Sequence, residues 1–130
     1  MLIFGHRFLD TQSFFHIQSI EAIENTPPSS TIFVEFLESN LDIIKHLKNN
    51  QINFTLGVKN IEELIYASAL EASFILVPKE ILLSAQNIAN NYLFDAKILV
   101  MITDESEIET MATSGVDGVI FSNAIVKINS

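Results

Sequence analysis

Short apolar runs alternate with longer stretches in which apolar positions recur every three or four residues. The first pattern suits a strand covered on both faces, and the second an amphipathic helix. Strands are predicted at 2–4 (LIF), 31–36 (TIFVEF), 52–58 (INFTLGV), 74–77 (FILV), 97–102 (KILVMI) and 118–121 (GVIF). Between them, 39–50 predicts a helix opened by a Ser or Asn cap, with Leu41, Ile44 and Leu47 inward. Asn60 and Glu63 form a capping-box spacing ahead of an apolar face of Ile61, Leu64, Ile65, Ser68, Ala69 and Ala72. Pro78 suits the first turn of a helix running to about Tyr92, and Thr103 or Asp104 caps another that Gly115 ends. The remaining stretches are weaker. Phe14, Ile17, Ile20 and Ile23 keep helical spacing until the prolines of NTPPSS stop it, and SNAIVK at 122–127 predicts one closing helical turn.

Buried strands alternating with helices imply a parallel sheet with helices covering it. The chain is read as one α/β domain over 1–130, with a parallel sheet of about six strands in β/α units. That count is short of a closed eight-stranded barrel. The sheet is therefore either partial TIM-barrel-like or a flavodoxin-like three-layer arrangement, and both place ligands at the carboxyl ends of the strands.

Composition narrows the function. Hydrophobic residues make up 48% of the 130 and charged ones only 18%, with a mean hydropathy of +0.34. So much apolar material predicts a homodimer that covers the excess. The net charge of −9 excludes a nucleic-acid partner and disfavours an anionic membrane surface. There is no cysteine, hence no disulfide, thiolate nucleophile or Cys-bound metal. The opening MLIFGHRFLD is too short an apolar run for a signal peptide, and no stretch approaches a membrane span, so a cytoplasmic location is expected. With four glycines, a glycine-rich nucleotide cradle cannot be built; no phosphate-binding loop, H-E-x-x-H or G-x-S-x-G signature is present. No cofactor and no metal set is therefore expected.

The predicted strand ends gather the candidate chemistry: His6, Arg7 and Asp10; Glu35 and Glu38; Lys59; Lys79; Thr103 and Asp104; Ser122 and Asn123. Arg7, Lys59 and Lys79 are three of only seven cationic residues, and cations beside helix N-termini are what a phosphate or carboxylate ligand needs. Thr103, Ser122 and Asn123 would add neutral hydrogen bonds. His6 is the acid–base candidate, with Arg7 beside it to grip an oxyanion, unless Arg7 simply pairs with Asp10 or Glu35. Glu35 interrupts an apolar strand and is the candidate base or ligand. His16 and His46, on helical stretches, are expected to face solvent or neighbouring side chains.

Residues 55–124, from TLGVKNIEEL to GVDGVIFSNA, resemble the second half of the 2-keto-3-deoxy-6-phosphogluconate aldolase family of (β/α)8 barrels. That resemblance implies a barrel-related fold; it also places the family's Schiff-base lysine at Ile120, where no amine stands. GHRF at 5–8, ENT at 24–26 and VEF at 34–36 are similar to motifs of glycerophosphodiester phosphodiesterases. This second resemblance implies active-site roles for His6 and Arg7 and metal ligation by Glu35, but Leu37 replaces the second carboxylate. The expected function is a non-catalytic or degenerate-barrel module that binds a small phosphorylated or carboxylate ligand, or a protein partner, at the carboxyl edge. A phosphodiesterase-like or aldolase-like enzyme and a structural subunit are the alternatives.

Overall fold

The computed structural model describes residues 1–128. Eight strands form one sheet: β1 (Leu2–Phe4), β2 (Phe14–His16), β3 (Thr31–Glu35), β4 (Phe54–Gly57), β5 (Phe74–Val77), β6 (Lys97–Ile102), β7 (Gly118–Phe121) and β8 (Ile125–Lys127). Every pairing is parallel, in the order β1-β7-β6-β5-β4-β3-β2-β8. Four helices follow β3 to β6 in turn: α1 (Leu41–Asn49), α2 (Ile61–Ala69), α3 (Leu82–Asn91) and α4 (Ile108–Ser114). The α/β class and the parallel sheet are as expected; the strand count is eight, not about six.

The sheet must curl. β7 lies next to one edge and β8 forms the other, yet only Ser122–Ala124 joins them. Laid flat, six strand spacings would part them by about 29 Å. A three-residue link reaches only about 14 Å. The sheet therefore bends until its edges approach, and the rings of Phe4, Phe14 and Phe74 meet inside it at centroid distances of 5.0, 5.6 and 5.6 Å. Those rings come from β1, β2 and β5, two strands near opposite edges and one mid-sheet. β2 to β7 are neighbours in sequence order, with none of the reversal that a flavodoxin-like sheet contains.

Two cores result. The inner one holds Phe4, Phe14, Phe33, Leu99, Ile120 and Ala124, with Phe74, Leu76, Met101 and Ile125 packed against it. The outer one lies between sheet and helices and includes Val34, Ile44, Leu56, Leu64, Ile75, Ile98 and Val119. Period-two alternation sends successive residues of each strand to one core or the other, so both faces read as apolar.

Three sequence expectations are corrected. Phe14–His16 is a strand, followed by a 3-10 turn at Glu21–Asn25, because β3 and β8 flank it as ladder partners. The closing helical turn is only Ser122–Ala124, after which the chain re-enters the sheet as β8. On α2 the buried positions are Leu64 and Ala67, while Ile65 is 49% exposed. The small Ala67 lets α2 sit close to the sheet, which turns Ile65 outward toward α3.

Candidate functional site

The carboxyl ends of β3 to β6 open into a cavity of about 450 Å³. Its apolar lining includes Phe33, Leu76 and Met101, and its charged residues are Glu35, Lys59 and Glu80. Gly57 is what admits the carboxylate: a Cβ there would stand 3.0 Å from Glu35 Oε2 and 3.0 Å from Phe33 Cζ. A glycine inside a strand commonly marks such a close approach. That signal was present in TLGV. One step below Gly57 on the same face of β4, the Thr55 hydroxyl is buried at 1% exposure and has no hydrogen-bond partner among the described residues.

His16 joins this mouth from β2, its ring edge-on to Phe33 at 4.9 Å. Burial lowers its pKa below 6.5; Glu35 opposes the shift and Lys127 adds to it. This histidine stands on a strand and not on the expected helical stretch, partly buried against the neighbouring Phe33 ring. The alternation Phe14/His16, both toward the inner core, is the sequence signal that a helical reading of the same residues hides.

A second depression, of about 350 Å³, lies at the end of β1 and is lined in part by Gly5, His6, Arg7, Thr11 and Asn123. Gly5 turns the chain at φ +90°, its N–H donating to Thr11 Oγ1 at 3.2 Å and its carbonyl accepting from Asn123 Nδ2 at 2.9 Å. The Phe8 N–H donates to His6 Nδ1 at 3.1 Å, which leaves Nε2 to carry the hydrogen and donate to Glu105 at 2.5 Å. Arg7 meets the same Glu105 carboxylate through Nη1 at 3.2 Å, not Asp10 or Glu35. Those contacts, the His6 hydrogen bond first, lower the Glu105 pKa.

The other two expected cations are also paired. Lys59 lies 3.4 Å from Glu63, whose carboxylate also accepts from the Lys59 N–H at 2.9 Å. The expected capping box is thus half realised: Asn60 Oδ1 accepts from the Glu63 N–H at 2.9 Å, while the reciprocal bond goes one residue earlier. Lys79 donates to Glu107, which accepts from the N–H groups of Thr103 at 3.0 Å and Asp104 at 3.2 Å. The Lys79 bond first, and the Thr103 bond next, hold the Glu107 pKa down to about 2. An ammonium and two backbone N–H groups do converge beside Thr103, and the carboxylate they hold is the protein's own.

The predicted site residues fall into separate groups. His6, Arg7 and Asn123 share the β1 depression, with Ser122 next to it in the chain; Glu35 and Lys59 share the β3–β6 mouth; Lys79 and Thr103 meet on Glu107. Ile120, where the aldolase resemblance places a lysine, lies in the inner core, and Leu37 is exposed beyond β3. Among the described residues no group of three or more His, Asp or Glu side chains is placed to hold a metal ion, and no helix is long and apolar enough to cross a membrane. No protein-family model matches the chain, and no curated protein matches it.

Proposed function

We propose that the chain is a non-catalytic binding module that takes a small ligand at the mouth between β3 and β6. The observation behind this reading is the state of Glu35. Among the described residues its carboxylate has no donor; it stands exposed at the rim of the mouth, over Gly57 and beside the apolar lining. Glu63, Glu105 and Glu107 each hold a cation or a histidine, whereas Glu80, on the same mouth, is like Glu35 in having no ion pair among the described residues. An unpaired carboxylate beside Phe33, Leu76 and Met101 suits a small organic amine, its ammonium on Glu35 and its apolar body on the lining. The pairing of the three cations thus turns the preferred ligand from an anion to an amine.

Division of His6 and Arg7 from Glu35 favours binding over catalysis, since acid, oxyanion grip and base would need to meet on one substrate. An anionic ligand remains a second reading for the β1 depression, supported by Arg7. Its guanidinium is 67% exposed and uses one nitrogen on Glu105, leaving donors for a phosphate or carboxylate. A cytoplasmic setting belongs to the same proposal and rests on the cysteine-free composition.

A thermal-shift panel of small amines, phosphate esters and carboxylates tests both readings. A ligand at about 100 times its Kd adds about 2.7 kcal/mol of stability, which raises Tm by several degrees in a domain of this size. Amines are expected to raise Tm in wild type and not in Glu35→Gln. Anions shifting Tm only while Arg7 is present would move the site to the β1 depression. No shift from any class would remove both.

A further inference from the structure

We propose that two copies of this chain associate through the outer face of α2 and α3 and the Tyr92–Leu93 turn that follows. Residues 81–94, ILLSAQNIANNYLF, contain no charged side chain in a protein of net charge −9. Two such copies repel one another over much of their surface, and across α3 and its turn they meet without opposing like charges, exposed Glu62 beside Ile65 and Tyr66 on α2 marking the charged limit of the face. A basic partner would be drawn instead to the acidic remainder. The chemistry of this face matches a second copy.

Its shape does too. Ile65, Ile88, Tyr92 and Phe94 line an apolar groove of about 440 Å³ between the helices. Leu93, between two of those residues in the chain, is 84% exposed and sits at φ +54°. That left-handed conformation suits asparagine or glycine and is costly for a leucine, and within one protomer the exposed side chain gains little burial in return. A projection beside a groove on one surface is what a two-fold axis requires: each protomer's Leu93 enters the groove of the other, and every contact is made twice. A specific dimer covers about 800 Å² per partner, roughly a tenth of the 7456 Å² surface. Exposed Ile65, Tyr66 and Leu83 extend the apolar area around the groove.

Light scattering and sedimentation across micromolar concentrations test this. Wild type is expected to have twice the 14.5 kDa protomer mass. Leu93→Asn suits the local backbone and so keeps the fold, and Ile65→Lys changes a half-exposed position. Each is expected to weaken the dimer at least about tenfold, as loss of an interface anchor does, with the circular dichroism of the protomer unchanged. A wild-type monomer at every concentration would overturn the proposal and leave the face to a different partner. A dimer that survives both substitutions would overturn it as well, because another surface would then hold the copies together.

Discussion

From β3 to β6 each strand is followed by an α-helix and pairs with the strand next in sequence; toward the two ends of the chain no α-helix follows β1, β2 or β7, and β1 and β8 find their partners across the chain. β1, β2 and β8 are three residues each, and two of their pairings run across the chain, β1 with β7 and β2 with β8, while β2 also pairs with β3. In the middle, a strand's partner lies one helix away, and local pattern and tertiary position agree. At the ends, the β2–β8 pairing exists only after the sheet has curled. What makes Phe14–His16 a strand is thus a pair of partners, Thr31–Phe33 next in the chain and Ile125–Lys127 at its far end. Such non-local pairing is slow to form and weakly encoded by periodicity.

The largest test of that contrast is a pair of truncations. Phe14 is fully buried in the inner core, so Phe14→Ala is expected to cost about 3–5 kcal/mol in denaturant unfolding. Ile20, which a continuous helix over 14–23 would turn inward beside it, is 36% exposed. Ile20→Ala should then cost well under about 1 kcal/mol, as surface changes usually do. Comparable losses at both positions would restore the helical reading and with it an open sheet.

The same contrast explains what was legible. FILV, KILVMI and GVIF could be placed because a four- to six-residue apolar run bounded by turn residues has few other homes. Leu64 and Ala67 show the limit: pattern located α2 but not the rotation set by packing a small alanine against the sheet. For the site, strand ends could be read and His6, Arg7, Glu35 and Lys79 placed there, but their partners could not. Glu105 lies almost a hundred residues from His6, and the pair meets only because β7 sets β1 beside the end of β6, which Glu105 follows. His16 was missed for the reason that β2 was missed. Gly57 was the readable clue passed over.

Two glycines separate the regions at smaller scale. Gly115 ends α4 at φ +81°, and a Cβ at that position would meet nothing within 4 Å, a role set by local conformation alone. Gly115→Ala is expected to cost about 1 kcal/mol for the left-handed backbone. Gly118 has ordinary backbone, but a Cβ would come within 2.8 Å of Leu2 Cβ and Leu99 Cδ2 and 3.1 Å of the Leu2 carbonyl oxygen. Its role is set by the closing pair β1–β7. Gly118→Val should cost about 1–3 kcal/mol through overpacking, and hydrogen exchange should show Leu2–Phe4 losing protection while β4 to β6 keep theirs. Uniform loss across the sheet would mean that β1 is not a separable closure. A neutral Gly118→Val would mean that β1 does not press against it at all.

The smallest effect belongs to the ion pairs that tie strand ends to helix starts. Glu107 is held at about 2, below its ordinary 4.5, by Lys79 and then by the Thr103 N–H. As pH falls, the unfolded chain binds this proton before the folded one does. The stabilisation is therefore complete above about pH 4.5 and is lost progressively toward pH 2. Glu107→Gln keeps the side chain's length and an oxygen for Thr103 but ends the charge. Its Tm should lie slightly below wild type at pH 7, the gap being small because Lys79 is largely solvated. Between pH 4.5 and 2 the wild-type curve should fall faster until the two meet. Glu105 titrates in both proteins, so the difference isolates Glu107. Curves that stay parallel to the acid end would show that the carboxylate is not held, and that the ammonium and N–H groups around Thr103 are free for an external anion.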